Sequence, residues 1–419
     1  MKLNIFRKSN EPIIIENKDF KKCILFISFP IEETDEAKIR VLRSMVFDKS
    51  MTYDTDKKIY EVNINNYCLS YYGRIVEIGN TYFLELALYF PSYDSLGKDV
   101  LKDNLKFIKD IIYNPYLEDG VFPNKEVEDI KNIIKNDINR KYKDAMWYYS
   151  YKSDKTMDED GYLTSKVEDN PNILEEVTSE ELYNLYKKTI SNSPIIFLIG
   201  NVATASAKQK IKEILLNNKE EDIIFEKKYN NFCKNIPSKP EEIIEKTSFK
   251  SSGVYYNYKV KDMKEEKDVV LLTIIKKLLS SNSSRLLFDT LRKDNDLVYR
   301  CNAYCRPTFG SLTIWAITGN NNIDNVKVNI EKIMNNLSNI EFITEKLTLI
   351  QDEAKLNEDL IKEELYDILM KNVDKYIECR ENTFYELIKD ITPLEVKHFI
   401  EDRLILVSKF IGVGEENEW

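Results

Sequence analysis

The sequence predicts an α+β fold made of two homologous domains, each a mixed, mainly antiparallel sheet covered by helices. Three pairs of matching segments predict it. VTSEELYNLYKKTISNSPIIFLIGNV (177–202) and ITPLEVKHFIEDRLILVSKFIGVG (391–414) both open on a T-x-x-E capping box, run through a helix and end in a short apolar strand. Segments 20–46 and 249–279 both read as strand, polar turn and helix, and the strands TYFLELALYFPS (81–92) and SLTIWAITGNNN (311–322) also correspond. The order of elements is therefore the same in both halves, as a duplicated unit of about 200 residues requires. The expected division is 1–220, a linker at 221–240 rich in charge, Asn and Pro, and 241–419.

Each element has a local cause. Thr178 with Glu181 and Thr392 with Glu395 satisfy orphan N–H groups at helix starts, and Pro393 occupies a first helical position where no donor is needed. In EVEDIKNIIKNDINRKY an apolar stripe of Val127, Ile130, Ile133, Ile134 and Ile138 marks a helix, with Asp137 at the edge of its inward face. Runs of strands with segregated helices suggest sheets covered on one side.

Composition narrows the function classes. A net charge of −10 with interspersed signs offers no basic face, so nucleic acid is not the expected partner. The longest apolar runs, such as PIIFLIG, are too short to span a bilayer, so no membrane is expected either. MKLNIFRKSNEPIII has no signal-peptide h-region, and six scattered cysteines suit free thiols, so the expected address is cytoplasmic.

Two halves of this kind, with RLLFDTLRKDNDLVY (285–299) in the second, resemble the insulinase and mitochondrial-processing-peptidase family of zinc peptidases. The resemblance covers essentially the whole chain. It implies a first-half helix bearing H-x-x-E-H, whose histidines bind zinc and whose glutamate activates water, with a glutamate from a later helix as third ligand. The chain has a single histidine, His398, in the wrong half. Aligning AKIRVLRSMVF on the motif puts Arg40, Arg43 and Ser44 where His, Glu and His would stand, on one helical face. A site needing two imidazoles cannot be built, so no catalytic residues and no metal or other cofactor are expected in this chain. Asp137 falls where the third ligand would be; it is read as a relic paired with Arg40 or Arg43, or as a stripe-edge carboxylate reaching solvent or capping a neighbour.

The resemblance also implies an arginine and a tyrosine in the second half that face the zinc, matched here by Arg292 and Tyr299. Read without the family, Arg292 caps a helix C-terminus and Tyr299 is one of 26 tyrosines. The loop before them, LLSSNSSRLLF, has serines and Asn282 where members often have glycines. Some bacterial members split the labour between two chains, one holding zinc and the other lending its Arg/Tyr pair. The expected function is therefore the non-catalytic subunit of a heterodimeric zinc peptidase that cleaves peptides, leader peptides among them. Zinc is expected in the homologous partner, and Arg292 and Tyr299 are lent to it. The alternative is a peptide-binding scaffold with an empty chamber.

Other signals are set aside. Cys301 and Cys305 share a strand face with no second ligand pair, His398 reads as a surface residue, and the acidic cluster DEDGYL (158–163) reads as a turn. The aromatic cluster MWYYSYK (146–152) packs a helix end or lines a chamber wall.

Overall fold

The structure, a computed structural model, describes residues 4–32, 34–78, 81–157, 163–216, 222–227, 236–263, 265–377 and 382–415. Most of the acidic turn DEDGYL, residues 158–162, lies outside the described residues. So do parts of the expected linker, residues 221 and 228–235.

Two compact units are formed. The first comprises Met1–Asn136, Asp169–Lys228 and Ile361–Cys379. Its strands are β1 (Asn4–Ser9), β2 (Ile13–Glu16), β3 (Lys22–Ile31), β4 (Ser70–Ile78), β5 (Thr81–Pro91), β6 (Ile195–Gly200) and β7 (Asp222–Lys227). Five of these make a sheet in the order β2-β6-β3-β5-β4, parallel only between β2 and β6. β1 and β7 pair separately as an antiparallel ribbon. β3 and β6 are apolar on both faces, IIFLIG being buried throughout, which fits strands at the middle of a sheet covered on both sides.

The second unit comprises Asp137–Glu168, Tyr229–Leu360 and Arg380–Trp419. Its strands are β8 (Glu241–Lys246), β9 (Ser252–Val260), β10 (Val298–Arg306), β11 (Ser311–Thr318) and β12 (Leu404–Val413). They form a sheet in the order β10-β11-β9-β12-β8, parallel only between β8 and β12. Strand for strand, this is the order of the first unit's sheet. The expected α+β duplication is borne out. Both capping boxes form, with the Thr178 and Thr392 hydroxyls accepting from the backbone N–H of Glu181 and Glu395. Their helices lead to β6 and β12, which take the same place in the two sheets.

One face of the second sheet carries the larger core. Val254, Tyr256 and Val260 of β9 and Leu312, Ile314 and Ala316 of β11 pack on helices Glu266–Ser280, Ile323–Asn336, Ile340–Leu360 and Pro393–Arg403. The opposite face is covered by Ala145–Lys155, a helix from the first half of the sequence. Tyr149 on this helix is fully buried against Tyr255, Ile317 and Phe410. Its ring packs over Gly253 of β9 and Gly412 of β12. A methyl on Gly253 would come within 2.6 Å of the ring, and one on Gly412 would overlap it. The first unit is built reciprocally. Leu365, Leu369 and Val373 of Leu365–Ile377, from the second half of the sequence, pack on Ile24, Phe26, Phe83, Ala87 and Phe197. Each unit thus includes a helix drawn from the other half of the chain.

Two local readings need correction. Ile133 is 65% exposed: the buried stripe runs through Val127, Ile130, Ile134 and Ile138, at spacings of three and four that leave Ile133 off the face. The first-half helix is short, Glu36–Arg43, with Ser44 as its C-cap and Phe47 left-handed at φ 64°.

Candidate functional site

The corner between Ser281 and Tyr299 combines several departures from regular backbone. Arg285 is left-handed at φ 50° and precedes a short helix, Leu286–Phe288. A π-turn follows over Asp289–Lys293, closed by the Asp294 N–H donating to the Asp289 carbonyl at 2.9 Å. Asp296 is again left-handed at φ 49°, a conformation that Asp tolerates better than most residues. Between Val298 and Arg300 the β10–β11 register shifts, so Tyr299 is the extra residue of a β-bulge. Strained turns, π-bulges and β-bulges are devices that re-aim side chains, and they concentrate at functional sites.

The corner is pinned from beneath. Leu287, Leu291 and Val298 are buried in the core, and the Leu297 N–H donates to the Leu291 carbonyl at 2.8 Å. The Leu297 carbonyl in turn accepts from Thr318 Oγ1 at 2.6 Å. The intervening KDND is left outside. Arg292 stands at its start with its side chain 42% exposed; Nη1 donates to the Val298 carbonyl at 2.6 Å and lies 3.2 Å from Asp296 Oδ1. Burial pushes the Cys301 thiol up to about 11 against the pull of the nearby Arg292 charge. Tyr299 is 63% exposed, and a methyl on Gly319 would lie 3.5 Å from its hydroxyl. Both residues named from the sequence are therefore on the surface of the second unit. Asp296, which braces the guanidinium, was missed by the sequence reading; the only signal was an Asx-rich turn, KDND.

The positions read as a lost metal site lie in the first unit and, for Asp137, at the start of the second. Arg40 is half-buried, while Arg43 and Ser44 are exposed at the helix end. Around them stand acids rather than imidazoles. Burial, aided by the charge of Glu36, raises the Glu77 carboxyl. Burial first and then Glu77 and Glu36 push the Tyr82 hydroxyl up to about 12, with Arg43 pulling the other way. Arginines among carboxylates do not fit a zinc ion. Asp137 is half-buried, and its carboxylate is taken by its own helix: Arg140 at 2.6 Å and Lys141 at 3.2 Å. Among the described residues no group of three or more His, Cys, Asp or Glu could hold a metal ion. No described helix is long and apolar enough to cross a membrane.

The set-aside residues fall as follows. Cys301 and Cys305 both pack half-buried against the core, and His398 is exposed. The aromatic cluster closes the second sheet through Tyr149 and stacks Trp147 on Tyr151 at 4.9 Å between centroids.

Comparison with known proteins follows the same lines. Residues 176–352 match the model of the peptidase M16 inactive domain. The chain is 21% identical over 201 residues to the probable inactive metalloprotease YmfF of Bacillus subtilis, a match spanning 48% of this chain and 46% of that one. Its fold is similar over 99% of its length to all of a conserved protein from Enterococcus faecalis V583, with a TM-score of 0.81 at 20% identity. It is also similar over 97% of its length to 45% of the periplasmic protease PqqL from Escherichia coli, with a TM-score of 0.69 at 11% identity. The fold is thus similar to that of M16-like, insulinase-type peptidases. Residues 176–352 are similar to the inactive domain of that family, and the sequence has no H-x-x-E-H.

Proposed function

We propose that this protein is the non-catalytic subunit of a heterodimeric zinc peptidase, lending Arg292 and Tyr299 to a homologous partner that holds the metal. One observation carries the reading: in a chain with a single histidine, the corner bearing the Arg/Tyr pair is held exposed by a π-turn, a bulge and two left-handed residues. Such strain persists only when the surrounding structure fixes it, here through Leu287, Leu291 and Val298. The likeness to less than half of PqqL leaves room in that chain for a second portion of similar size, which supports a homologous partner here.

In this reading a metal held by the partner would supply Lewis-acid activation of the scissile carbonyl, and this chain's residues would bind and orient the peptide. Arg292 donates to a substrate carbonyl and fixes the peptide's register. Tyr299 donates its phenolic O–H toward the oxygen that becomes negative in the tetrahedral intermediate. A donor preplaced at that oxygen is worth about 10²–10³ in rate. The substrates are peptides, leader segments among them, in the cytoplasm; free thiols at Cys23, Cys68, Cys301 and Cys305 support that address.

The test is coexpression with a homologous chain carrying H-x-x-E-H, followed by a peptide-cleavage assay. The expected result is no turnover by either chain alone and turnover by the pair. A tight complex that binds peptide and never cleaves it would favour a scaffold instead.

A further inference from the structure

We propose that the corner reads carboxylates: it takes a peptide bearing an acidic side chain or a free C-terminal carboxylate, gripped side-on by Nε and Nη2 of Arg292. This deepens the lending reading and rests on it only in taking a peptide as the ligand. The two contacts of Arg292, the Val298 carbonyl at 2.6 Å and Asp296 at 3.2 Å, are both made by Nη1. Among the described residues Nε and Nη2 make no hydrogen bond, and they form the edge of a guanidinium that matches the two oxygens of a carboxylate. The edge is aimed rather than loose. Asp296 is fixed left-handed, and the Leu297 N–H to Leu291 carbonyl bond closes the turn beneath it.

The local charge agrees. From residue 292 to 300 the cations are Arg292, Lys293 and Arg300 and the anions Asp294 and Asp296, a balance of +1 in a chain whose net charge is −10. All five are exposed, and Lys293 and Arg300 have no ion pair among the described residues. The exposed Tyr299 hydroxyl has no hydrogen-bond partner there either, so a second donor stands on the same corner. Binding a neutral carbonyl needs one donor. A braced guanidinium with its bidentate edge open, beside further cations, is suited to an anion.

The experiment is fluorescence anisotropy of the full-length chain with fluorescein-labelled peptides. One set differs only by Glu or Gln at each position in turn, the other by a free or amidated C-terminus. The expected result is about ten-fold tighter binding of the charged member in at least one set. The set that responds tells side chain from terminus. The preference is lost in Arg292→Ala, reduced in Arg292→Lys, which keeps the charge and loses the fork, and weakened at high salt. Asp296→Asn, which frees Nη1, reduces it at unchanged thermal midpoint. Equal affinities in both sets, or a preference that survives Arg292→Ala, overturn the inference. The lending reading stands or falls separately, on turnover of a neutral peptide by the assembled pair.

Discussion

The two units carry the same five-stranded sheet and each covers one face with a borrowed helix, yet they seat that helix by different chemistry. In the first unit Leu365, Leu369 and Val373 rest on Ile24, Phe26 and Phe197, a mainly apolar contact joined by Arg74, which donates from Nη1 to the Tyr366 hydroxyl at 3.3 Å. In the second, Asn257 at the sheet centre donates to the Ser153 carbonyl at 3.2 Å, Thr156 Oγ1 at 3.0 Å and Ser408 Oγ at 3.1 Å, and accepts from Thr313 at 3.0 Å. Asp154 on the helix receives both Nη atoms of Arg306, at 2.9 and 2.6 Å, and the Tyr304 hydroxyl at 3.0 Å. A mainly apolar seat fixes depth and tolerates more slippage; an extended, satisfied polar network fixes one register and penalises any other. The strictly specified sheet is the one that carries the Arg292–Tyr299 corner on its edge strand.

Substitutions can break or sharpen this contrast. The largest loss is expected from Gly412→Ala, whose methyl would overlap the fully buried Tyr149 ring. It should cost more than about 4 kcal/mol, measured by denaturant unfolding. Asn257→Leu keeps the volume and removes one partner each from the buried hydroxyls of Ser153, Thr313 and Ser408, of which Ser408 keeps Thr156, for about 3 kcal/mol. The corresponding volume-conserving change in the first unit, Leu369→Met, should cost less than about 1.5 kcal/mol. If Asn257→Leu is as mild as Leu369→Met, the two seats are energetically alike and the contrast fails.

The smallest effect is acid-dependent. Hydrogen bonding to Lys267 and the Thr392 backbone holds the Glu395 carboxyl down at about 2. A depressed carboxylate stabilises the fold above its unfolded pKa of about 4.3, and the contribution disappears as pH falls toward 2. Glu395→Gln should therefore lower the thermal midpoint slightly at neutral pH and converge with wild type as pH falls toward 2, flattening the acid slope; the effect is small because the group is largely solvent-screened.

The duplication was readable because capping boxes and apolar runs are local. Thr178, Glu181, Thr392 and Glu395 mark equivalent helices without any knowledge of packing. The helix exchange was not readable: nothing in MWYYSYK says which sheet Tyr149 will meet, and the glycines that admit it, Gly253 and Gly412, lie about 100 and 260 residues away in sequence. Arg292 and Tyr299 were found through a motif. Their exposure was not, because the corner is held by Leu291 and Val298 packing in the core and by the Leu297 carbonyl accepting from Thr318. Asp137 shows the reverse limit: helical spacing put it near an inward face, and in the structure it is half-buried with its charge taken by its neighbours Arg140 and Lys141.

The central claim is tested most directly by kcat/KM of the assembled pair, with Arg292→Ala and Tyr299→Phe compared against Arg40→Ala and Arg43→Ala. A fall of about 10²–10³ at Tyr299 and a comparably large one at Arg292, with complexes intact and the first-unit variants within about two-fold of wild type, is the predicted result. Undiminished turnover in both second-unit variants would contradict it.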